Sequence, residues 1–381
     1  MLSLQKIKFI FCLVLCHIFS VSIAYAQMES KAEYGYMVDY HTGTVLFSKN
    51  AEQEMSPSSM TKLMTLYILF DQLKQGEVSL DTEFHVSETA WRKGGSKMYV
   101  KEGSKVSIED LIKGIIVASG NDACIVVAEG IAGSEEAFVE DMNFKAEKME
   151  LVNSRFKNVT GWPDPEHKMS AKDLVTLSIK LYEDFPEYYK YFAEKTFKYS
   201  KIKQNNRNLL LFKDSSFDGL KTGHTEEAGY GIAISAQKDE RRIFLAINGL
   251  KSNKERIQEA ERLIRRGFVD HKYIELYPEK GEVYTANIWF GKGNKIKMIT
   301  DKKVRVLANK RISKKQKVEL TVTYKDPIIA PVDEGRHIGD LTITTSGKVS
   351  EVVPLYAAHS VPGDSFFGKA ISKFKYMIFG Y

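Results

Sequence analysis

The sequence predicts an α+β domain built on an antiparallel sheet, followed by a small all-β domain. Residues 34–47 are predicted to form a strand hairpin. Apolar residues alternate before the turn His41-Thr42-Gly43, and a short apolar run follows it. Helical patterns follow from 58 to 182, and strand patterns return between 209 and 247. This order implies one antiparallel sheet whose first and last strands come from opposite ends of the domain.

The helices between the strands are predicted from apolar spacing and capping residues. Residues 58–73 carry apolar side chains around nearly the whole circumference, so we expect a central, buried helix. A capping box at Ser107 begins a helix that runs to Ile116, is interrupted at 119–121 and resumes to Glu129. Further helices are predicted at 135–149, at 171–182 and around 257–264.

The domain boundary is placed where the predicted secondary-structure pattern changes, after Tyr277-Pro278. From there to about Leu355, short β-type runs alternate with Gly, Asp and Lys turns, which predicts a first domain at 27–276 and a small β domain at 277–360. The predicted strands are 209–212, 217–222, 229–235 and 243–247 in the first domain, and 283–286, 317–324 and 341–345 in the second.

Residues 1–26 have the three parts of a secretory signal peptide. Lys6 and Lys8 precede an apolar run at 9–21, and Ala24-Tyr25-Ala26 supplies the small residues of a cleavage site. A membrane anchor is the weaker alternative, because the run is shorter than the roughly 20 residues of a spanning helix. We therefore expect cleavage after Ala26 and expect this segment to lie outside the fold.

Composition excludes several classes of protein. Lys and Arg total 55 against 49 Asp and Glu, a net charge of +6, without the clustered basic face of a nucleic-acid binder. Two of the three cysteines lie in the predicted signal segment, so the mature chain keeps Cys124 alone and forms no intrachain disulfide. No metal-ligand spacing is present, so we expect neither a metal nor another cofactor.

Three short motifs carry the functional prediction. They are Ser59-Met60-Thr61-Lys62, Ser119-Gly120-Asn121 and Lys221-Thr222-Gly223. The Ser-x-x-Lys spacing is not specific by itself, since it recurs at Ser154, Ser200, Ser235 and Ser372. The chosen copies differ from these in their predicted structural context.

Ser59 and Lys62 begin the predicted buried helix, one turn apart on the same face. A serine hydroxyl is a weak nucleophile until a base takes its proton. A lysine can be that base when burial and a second cation lower its pKa, and Lys221 is the candidate cation.

The other two motifs have contexts that suit a cleft. Ser119 and Asn121 lie at a break between helices, and Gly223 follows a strand end, where it would let a substrate backbone approach. Each motif also has an ordinary explanation as a helix cap, a turn or a strand end. All three in this order favour a serine acyl-transfer site.

The chain resembles the low-molecular-mass penicillin-binding proteins of the D-alanyl-D-alanine carboxypeptidase type. Besides the three motifs, the matching stretches are 39–43, 57–65, 153–173 and 221–230. The resemblance implies a catalytic domain with the serine β-lactamase and penicillin-binding-protein fold. It also implies a periplasmic enzyme that removes the terminal D-alanine of peptidoglycan pentapeptides through an acyl-serine, and that β-lactams acylate the same serine.

The resemblance assigns roles to individual residues. Ser59 would be the nucleophile, Lys62 the acylation base and Ser119 the proton relay to the leaving amine. The implied substrate-binding residues are Asn121, Lys221, Thr222, Gly223 and His224.

Among these, Asn121 would hold the substrate amide, while Lys221 and Thr222 would face the terminal carboxylate. The backbone N–H groups of Ser59 and His224 would form the oxyanion hole.

Three alternatives stay open. A β-lactamase would need fast deacylation, and Glu166 lies in the right part of the chain although its setting does not match that family's motif. A D,D-endopeptidase shares all three motifs but usually lacks the second domain. A catalytically silent cell-wall scaffold is the third alternative.

Residues 361–381 are predicted to form an amphipathic helix after a hinge at Pro362-Gly363. One face carries Phe367, Ala370, Ile371, Phe374 and Ile378, while Lys369, Lys373 and Lys375 lie off it. We expect this helix to attach the protein peripherally to the outer face of the inner membrane. Packing of the helix on the β domain is the alternative.

Overall fold

A computed structural model of the chain describes residues 4–11, 28–310, 317–345, 348–365 and 368. The chain divides into two compact units. The large unit comprises Ile23–His41 and Val45–Phe268, and the β unit comprises Val269–Tyr381 with Met1–Ser22 and Thr42–Thr44.

The described elements are numbered in chain order. The strands are β1 (Leu4–Phe11), β2 (Tyr34–Asp39), β3 (Val45–Lys49), β4 (Glu83–His85), β5 (Lys105–Ser107), β6 (Thr196–Tyr199), β7 (Ile202–Asn205), β8 (Phe217–Thr225), β9 (Gly229–Lys238), β10 (Arg241–Leu250), β11 (His271–Tyr277), β12 (Glu282–Gly291), β13 (Gly293–Ile299), β14 (Val304–Asn309), β15 (Val318–Lys325), β16 (Ile328–Ile329), β17 (His337–Thr345) and β18 (Lys348–Ala357). The α-helices are α1 (Lys62–Gln75), α2 (Glu88–Arg92), α3 (Ile108–Lys113), α4 (Asn121–Ala132), α5 (Glu135–Lys148), α6 (Ala171–Asp184), α7 (Pro186–Tyr189) and α8 (Asn253–Val269).

The large unit is built on a five-stranded antiparallel sheet with the order β3-β2-β10-β9-β8. The first hairpin and the last strands meet where β2 pairs with β10, with Asp39 opposite Ile243. The predicted sheet, with strands from opposite ends of the domain, is therefore confirmed.

The strand predicted at 209–212 is wrong, because Leu209–Phe212 forms a 3₁₀ turn. The side chain of Asn208 accepts a hydrogen bond from the backbone N–H of Leu210 and so caps this turn. Leu210 and Leu211 are buried while Leu209 and Phe212 are exposed, so the four apolar residues do not alternate as they would in a strand.

Helix α1 is the central helix of the large unit. The 3₁₀ turn Ser58–Thr61 leads into it, and it ends at Gly76, whose φ of 77° is left-handed. Buried side chains surround almost its whole circumference, from Lys62 to Leu73. The predicted burial is confirmed, and it places the first turn of α1, with Lys62, inside the core.

The predicted break between two helices is present and has a defined geometry. After α3, residues Gly114–Ala118 form a π-helical turn, and Ser119 has a left-handed φ of 58°. The N–H of Gly120 donates to the carbonyl of Gly114, which closes the turn before α4 begins at Asn121. The side chains of Ser119 and Asn121 thereby leave the helical path.

The β unit contains a seven-stranded sheet with the order β1-β15-β17-β18-β13-β12-β16, together with the pair β11-β14. The sequence placed the domain boundary after 276, whereas the units divide between Phe268 and Val269. The difference arises because β11, at His271–Tyr277, pairs with β14 and so belongs to the β unit.

Strand β1 lies inside the segment that we expected to be outside the fold. Its backbone pairs antiparallel with β15, from Leu4 opposite Lys325 to Phe11 opposite Val318. An edge strand presents unpaired N–H and C=O groups, which a neighbouring extended segment satisfies. Residues 1–3 and 12–27 of the predicted signal peptide and its flank lie outside the described residues.

The start of the predicted tail is fixed to the β unit. Val361 and Gly363 form bridges with Val332 and Gly291, and the carbonyl of Pro362 accepts a hydrogen bond at 2.9 Å. The predicted hinge at Pro362-Gly363 is therefore wrong, since these backbone groups are bonded.

Residues 366–367 and 369–381, which hold most of the predicted amphipathic helix, lie outside the described residues. In the part of the chain that is described, none of the helices is both long and apolar enough to cross a membrane.

Candidate active site

The first motif lies where the 3₁₀ turn Ser58–Thr61 joins α1. Ser59 is partly exposed, whereas Lys62 is fully buried. The helical spacing brings Lys62 Nζ within 2.9 Å of Ser59 Oγ. The serine can thus meet a substrate while its partner amine is kept from water.

Lys62 Nζ has three oxygen neighbours. They are Ser59 Oγ at 2.9 Å, Asn121 Oδ1 at 2.8 Å and the carbonyl oxygen of Thr160 at 2.7 Å. The amide and carbonyl oxygens only accept hydrogen bonds, so they engage the two N–H bonds of a neutral amine. The lone pair of that amine is then directed at Ser59, which is the arrangement of a general base.

Burial lowers the pKa of Lys62 to about 8. The charges of Arg207 and Lys93 lower it further, while Asp122 acts in the opposite direction. The sequence predicted burial and a second cation, Lys221, as the two causes of the lowered pKa; burial is the main cause, and the largest cationic contribution comes from Arg207. A neutral Lys62 is therefore accessible near physiological pH.

The second buried lysine is paired with the second motif. Lys221 Nζ donates to Ser119 Oγ at 2.9 Å and to the carbonyl of Thr222 at 3.2 Å. Burial, followed by the charge of Lys62, lowers the pKa of Lys221. The left-handed backbone of Ser119 turns its hydroxyl toward this amine.

Strand β8 carries the third motif against the turn that holds Ser59. A Cβ at Gly223 would lie 2.9 Å from the carbonyl oxygen of Pro57 and 3.1 Å from the Cβ of Ser58. The sequence predicted that Gly223 makes room for a substrate, and the structure shows that it makes room for this turn. The glycine therefore sets the distance between β8 and the turn that holds Ser59.

Two more predicted residues lie on β8. Thr222 is buried, whereas His224 is exposed and its ring lies 3.9 Å from the ring of Tyr230, centroid to centroid. The imidazole is thus engaged by Tyr230 in a tilted ring contact, and the backbone N–H remains the group of interest at this position.

Arg256 on α8 was not found from the sequence. Its guanidinium donates to the carbonyls of Gly223 at 3.1 Å and Gly231 at 3.3 Å, and so ties α8 to β8 and β9. Burial lowers its pKa to about 10. Only long-range pairing reveals this role, since the sequence shows an ordinary charged residue on an amphipathic helix.

Asp122 was also missed. Its buried carboxylate accepts hydrogen bonds from the N–H groups of Met98 and Tyr99, both at 2.9 Å, and of Val100 at 3.2 Å. This carboxylate holds residues 98–100 against the first turn of α4. An acidic residue directly after Ser-Gly-Asn, at a helix N-terminus, is the signal that could have indicated it.

Asn158 organises the loop that supplies the Thr160 carbonyl. Its Oδ1 accepts from the N–H groups of Thr160, Gly161 and Trp162 at 3.1, 2.8 and 2.9 Å, and its Nδ2 donates to the carbonyl of Trp162 at 3.0 Å. One side chain thus closes the whole turn. The orientation of the Thr160 carbonyl toward Lys62 follows from it.

His167 connects the loop that contains Asn158 to the turn that holds Ser59. It is buried, accepts the N–H of Lys157 at Nδ1, and places Nε2 2.9 Å from Thr61 Oγ1. Burial lowers the pKa of His167 to about 4, so the ring is neutral at physiological pH. The acceptor role of Nδ1 puts the proton on Nε2, which donates to Thr61.

Glu166 and Ser154, which the sequence left open as alternative functional residues, make structural contacts. Glu166 is exposed, and its carboxylate pairs with Lys157 at 2.5 Å. Ser154, the alternative Ser-x-x-Lys serine, donates to Asp173 at 2.8 Å. Neither arrangement is that of an activated nucleophile or a buried deacylation base.

A serine with a buried lysine one turn later, and a second buried lysine on the edge strand, define the penicillin-binding class of serine acyl-transfer proteins. A sequence profile described as D-alanyl-D-alanine carboxypeptidase matches residues 21–251, and one described as penicillin-binding protein 5, C-terminal domain, matches residues 272–363. The chain belongs to the D-alanyl-D-alanine carboxypeptidase family of serine peptidases.

Curated relatives and solved structures agree with this assignment. The chain is 34% identical to D-alanyl-D-alanine carboxypeptidase DacC of Escherichia coli K12 over 340 residues, which cover 87% of this chain and 85% of that protein. A crystal structure of penicillin-binding protein 5 from Haemophilus influenzae superposes with a TM-score of 0.78 at 31% identity, covering 88% of this chain and 98% of that one.

A relative with a different name covers less of the chain. The D-alanyl-D-alanine endopeptidase of Pseudomonas aeruginosa PAO1 is 29% identical over 231 residues, which cover 58% of this chain and 72% of that protein. The carboxypeptidase DacC matches over a longer stretch, as expected from the two-domain organisation.

We predict that Gly161→Ala displaces Ser59. A Cβ at Gly161 would lie 1.8 Å from the carbonyl oxygen of Ser58, so the turn holding Ser59 must move. Misplacement of a reacting group by about 1 Å costs on the order of a hundredfold in rate. The rate of covalent labelling by penicillin, followed by intact mass, measures the effect.

Gly133→Ala is the matched control. Gly133 has a similar φ of +82°, compared with +78° at Gly161, but nothing lies within 4 Å of its added Cβ. It should lose about 1 kcal/mol of stability through backbone strain and label at the normal rate. Equal labelling rates for the two variants would show that the Gly161 contact does not position Ser59.

Proposed function

We propose that this protein is a serine-type D-alanyl-D-alanine carboxypeptidase that removes the terminal D-alanine of peptidoglycan pentapeptides through an acyl-serine at Ser59. The observation that carries the proposal is the environment of Lys62 Nζ, which lies 2.9 Å from Ser59 Oγ and donates to two fixed acceptors, Asn121 Oδ1 and the Thr160 carbonyl. The family membership supports the same reaction.

Acylation begins when Ser59 Oγ attacks the carbonyl carbon between the two D-alanines. Lys62 takes the hydroxyl proton as the bond forms. The backbone N–H groups of Ser59 and His224 receive the developing oxyanion, and loss of one such donor typically costs about 2.7–4 kcal/mol. The product of this half-reaction is an ester of Ser59.

The leaving D-alanine needs a proton on its amine. Ser119 supplies it from its hydroxyl and is reprotonated by Lys62, which passes on the proton taken from Ser59 and becomes neutral again, while Lys221 Nζ orients the relay through its hydrogen bond to Ser119 Oγ. Lys221 and Thr222 bind the terminal carboxylate, whose negative charge favours the protonated form of the buried Lys221 amine. Asn121 donates one amide hydrogen to the carbonyl of Gly94, at 2.8 Å, and uses the other to hold the substrate.

Hydrolysis completes the cycle, because water replaces D-alanine as the acceptor of the acyl group. Lys62, neutral again after the relay, removes a proton from this water and delivers it to Ser59 Oγ as the ester bond breaks, which returns the serine hydroxyl. β-Lactams acylate the same serine, but their amine stays attached to the acyl group after ring opening and cannot diffuse away. The exposed position of Glu166, paired with Lys157, argues against a β-lactamase that deacylates through this carboxylate.

We also propose a secreted, membrane-attached location. A signal peptide at 1–26 would direct the chain to the periplasm, and cleavage would remove β1, which lies at the edge of its sheet and leaves the order of the other strands intact. The basic amphipathic segment within 361–381 would then bind the outer face of the inner membrane. Because Val361 and Gly363 are bonded to the β unit, the membrane-binding part would begin after Ser365.

Ser59→Ala is expected to abolish covalent β-lactam labelling and D-alanine release together, because both need the same Oγ. The substrate is a peptide ending in D-alanyl-D-alanine, and intact mass reports labelling. Ser154→Ala is the control, and it should lose only the hydrogen bond to Asp173, worth about 1 kcal/mol of stability. Labelling that survives in Ser59→Ala, or disappears in Ser154→Ala, would assign the wrong serine.

Truncation after Ser365 is expected to move the protein from the membrane fraction to the soluble fraction with penicillin labelling unchanged. The reason is loss of apolar and cationic membrane contacts, while the bonds of 361–364 to the β unit remain. A matched full-length variant with Lys369, Lys373 and Lys375 changed to Glu should lose affinity for anionic vesicles. Retention of the truncated protein in the membrane fraction would contradict the proposed attachment.

A further inference from the structure

The side chain of Trp162 is an exposed aromatic surface at the edge of the site. It is 47% exposed, although a ring of this size contributes most to stability when it is fully buried. The reaction steps derived above do not use it. Its exposure therefore indicates a role other than packing in the hydrophobic core.

The Trp162 ring lies beside the substrate-binding amide. A Cβ at Gly95 would lie 2.7 Å from Asn121 Nδ2 and 2.9 Å from Cζ3 of Trp162, and a Cβ at Gly94 would lie 3.6 Å from Cη2 of the same ring. The two glycines thus form a narrow strip of backbone. Asn121 and Trp162 flank this strip within a few ångströms of each other.

The backbone of Trp162 is held rigidly. Asn158 bonds both its N–H and its carbonyl, and the N–H also reaches Thr160 Oγ1 at 3.2 Å. The same turn supplies the carbonyl that binds Lys62. A ring presented on a fixed turn loses little conformational freedom on binding, so its contact area is available for affinity.

We propose that Trp162 is a specificity-determining residue whose exposed ring packs against the side chain of the residue that precedes the two D-alanines. The inference rests on the proposed carboxypeptidase function and on Asn121 as the group that holds the substrate amide. The next amide on the acyl side of the attacked bond joins that residue to the penultimate D-alanine. Its side chain therefore emerges close to Asn121, where Trp162 lies.

The chemistry of the ring indicates what it recognises. An indole face offers apolar area and attracts a cation at the end of an aliphatic chain. A long diamino side chain, such as that of lysine, would cover the ring with its methylene groups. A methyl side chain, such as that of alanine, would not reach it.

The test compares two substrates in the wild-type protein and in Trp162→Ala. One is Nα-acetyl-L-lysyl-D-alanyl-D-alanine, with its side-chain amine free, and the other is acetyl-L-alanyl-D-alanyl-D-alanine. Removal of an apolar contact of this kind lowers discrimination by about tenfold. We expect Trp162→Ala to reduce kcat/KM about tenfold for the lysyl peptide and less than about twofold for the alanyl peptide.

Two control variants accompany this comparison. Trp162→Phe keeps an aromatic face and should retain most of the preference for the lysyl peptide. Trp91→Ala removes another tryptophan, 41% exposed, whose ring lies beside Arg92, and it should change neither substrate. Equal losses for both peptides in Trp162→Ala would indicate a purely structural role, and no loss for either would remove Trp162 from the binding surface. Either result overturns the proposal.

Failure of the proposed function is distinguishable from failure of this inference. A wild-type protein that forms the penicillin adduct but releases no D-alanine from either peptide would refute carboxypeptidase activity. In that case the acylation rates of benzylpenicillin and 6-aminopenicillanic acid, which lacks the acyl side chain, still test Trp162. The ratio of the two rates should fall in Trp162→Ala, and an unchanged ratio would overturn the inference.

Discussion

The proposed active site depends on an amine that the fold has removed from water. Lowering the pKa of Lys62 from 10.5 to about 8 means that its charged form is disfavoured by about 3 kcal/mol relative to an exposed lysine. The fold imposes this cost by placing Lys62 in the first turn of a helix that is buried on nearly all sides. The residues packed around Lys62 either exclude water from its amine or fix the oxygen atoms that orient its lone pair.

The oxygen atoms around Lys62 come from three separate parts of the chain. Hydrogen bonds from other side chains hold the segments next to these oxygens in place. Asn158 closes the turn that points the Thr160 carbonyl inward, and Asp122 anchors the segment beside the first turn of α4. Arg256 holds the strand that faces Ser59, through the carbonyl of Gly223. Ser58 and Ser119 both have left-handed backbones, with φ of 50° and 58°, and such strain persists only where neighbouring contacts impose it.

The sequence predicted the parts of this arrangement that are encoded locally. Helical spacing places Ser59 and Lys62 together, and a Ser-Gly-Asn break marks the end of a helix, so both motifs could be recognised along the chain. The Thr160 carbonyl could not, because a backbone oxygen carries no residue signature. The same limit applies to Arg256, whose partners lie on strands distant in sequence. The four apolar residues at 209–212 were misassigned because a short run of this kind is compatible with either a strand or a tight turn.

The measurement that tests the account most directly is the pH dependence of the second-order rate of penicillin acylation, between pH 6 and 10. If Lys62 is the base, the rate rises about tenfold per pH unit at low pH, because only the neutral amine accepts the Ser59 proton, and levels off with a midpoint near the pKa of about 8. A rate that is flat from pH 6 to 9, or a midpoint near the 10.5 of an exposed lysine, would contradict the central role of the buried amine.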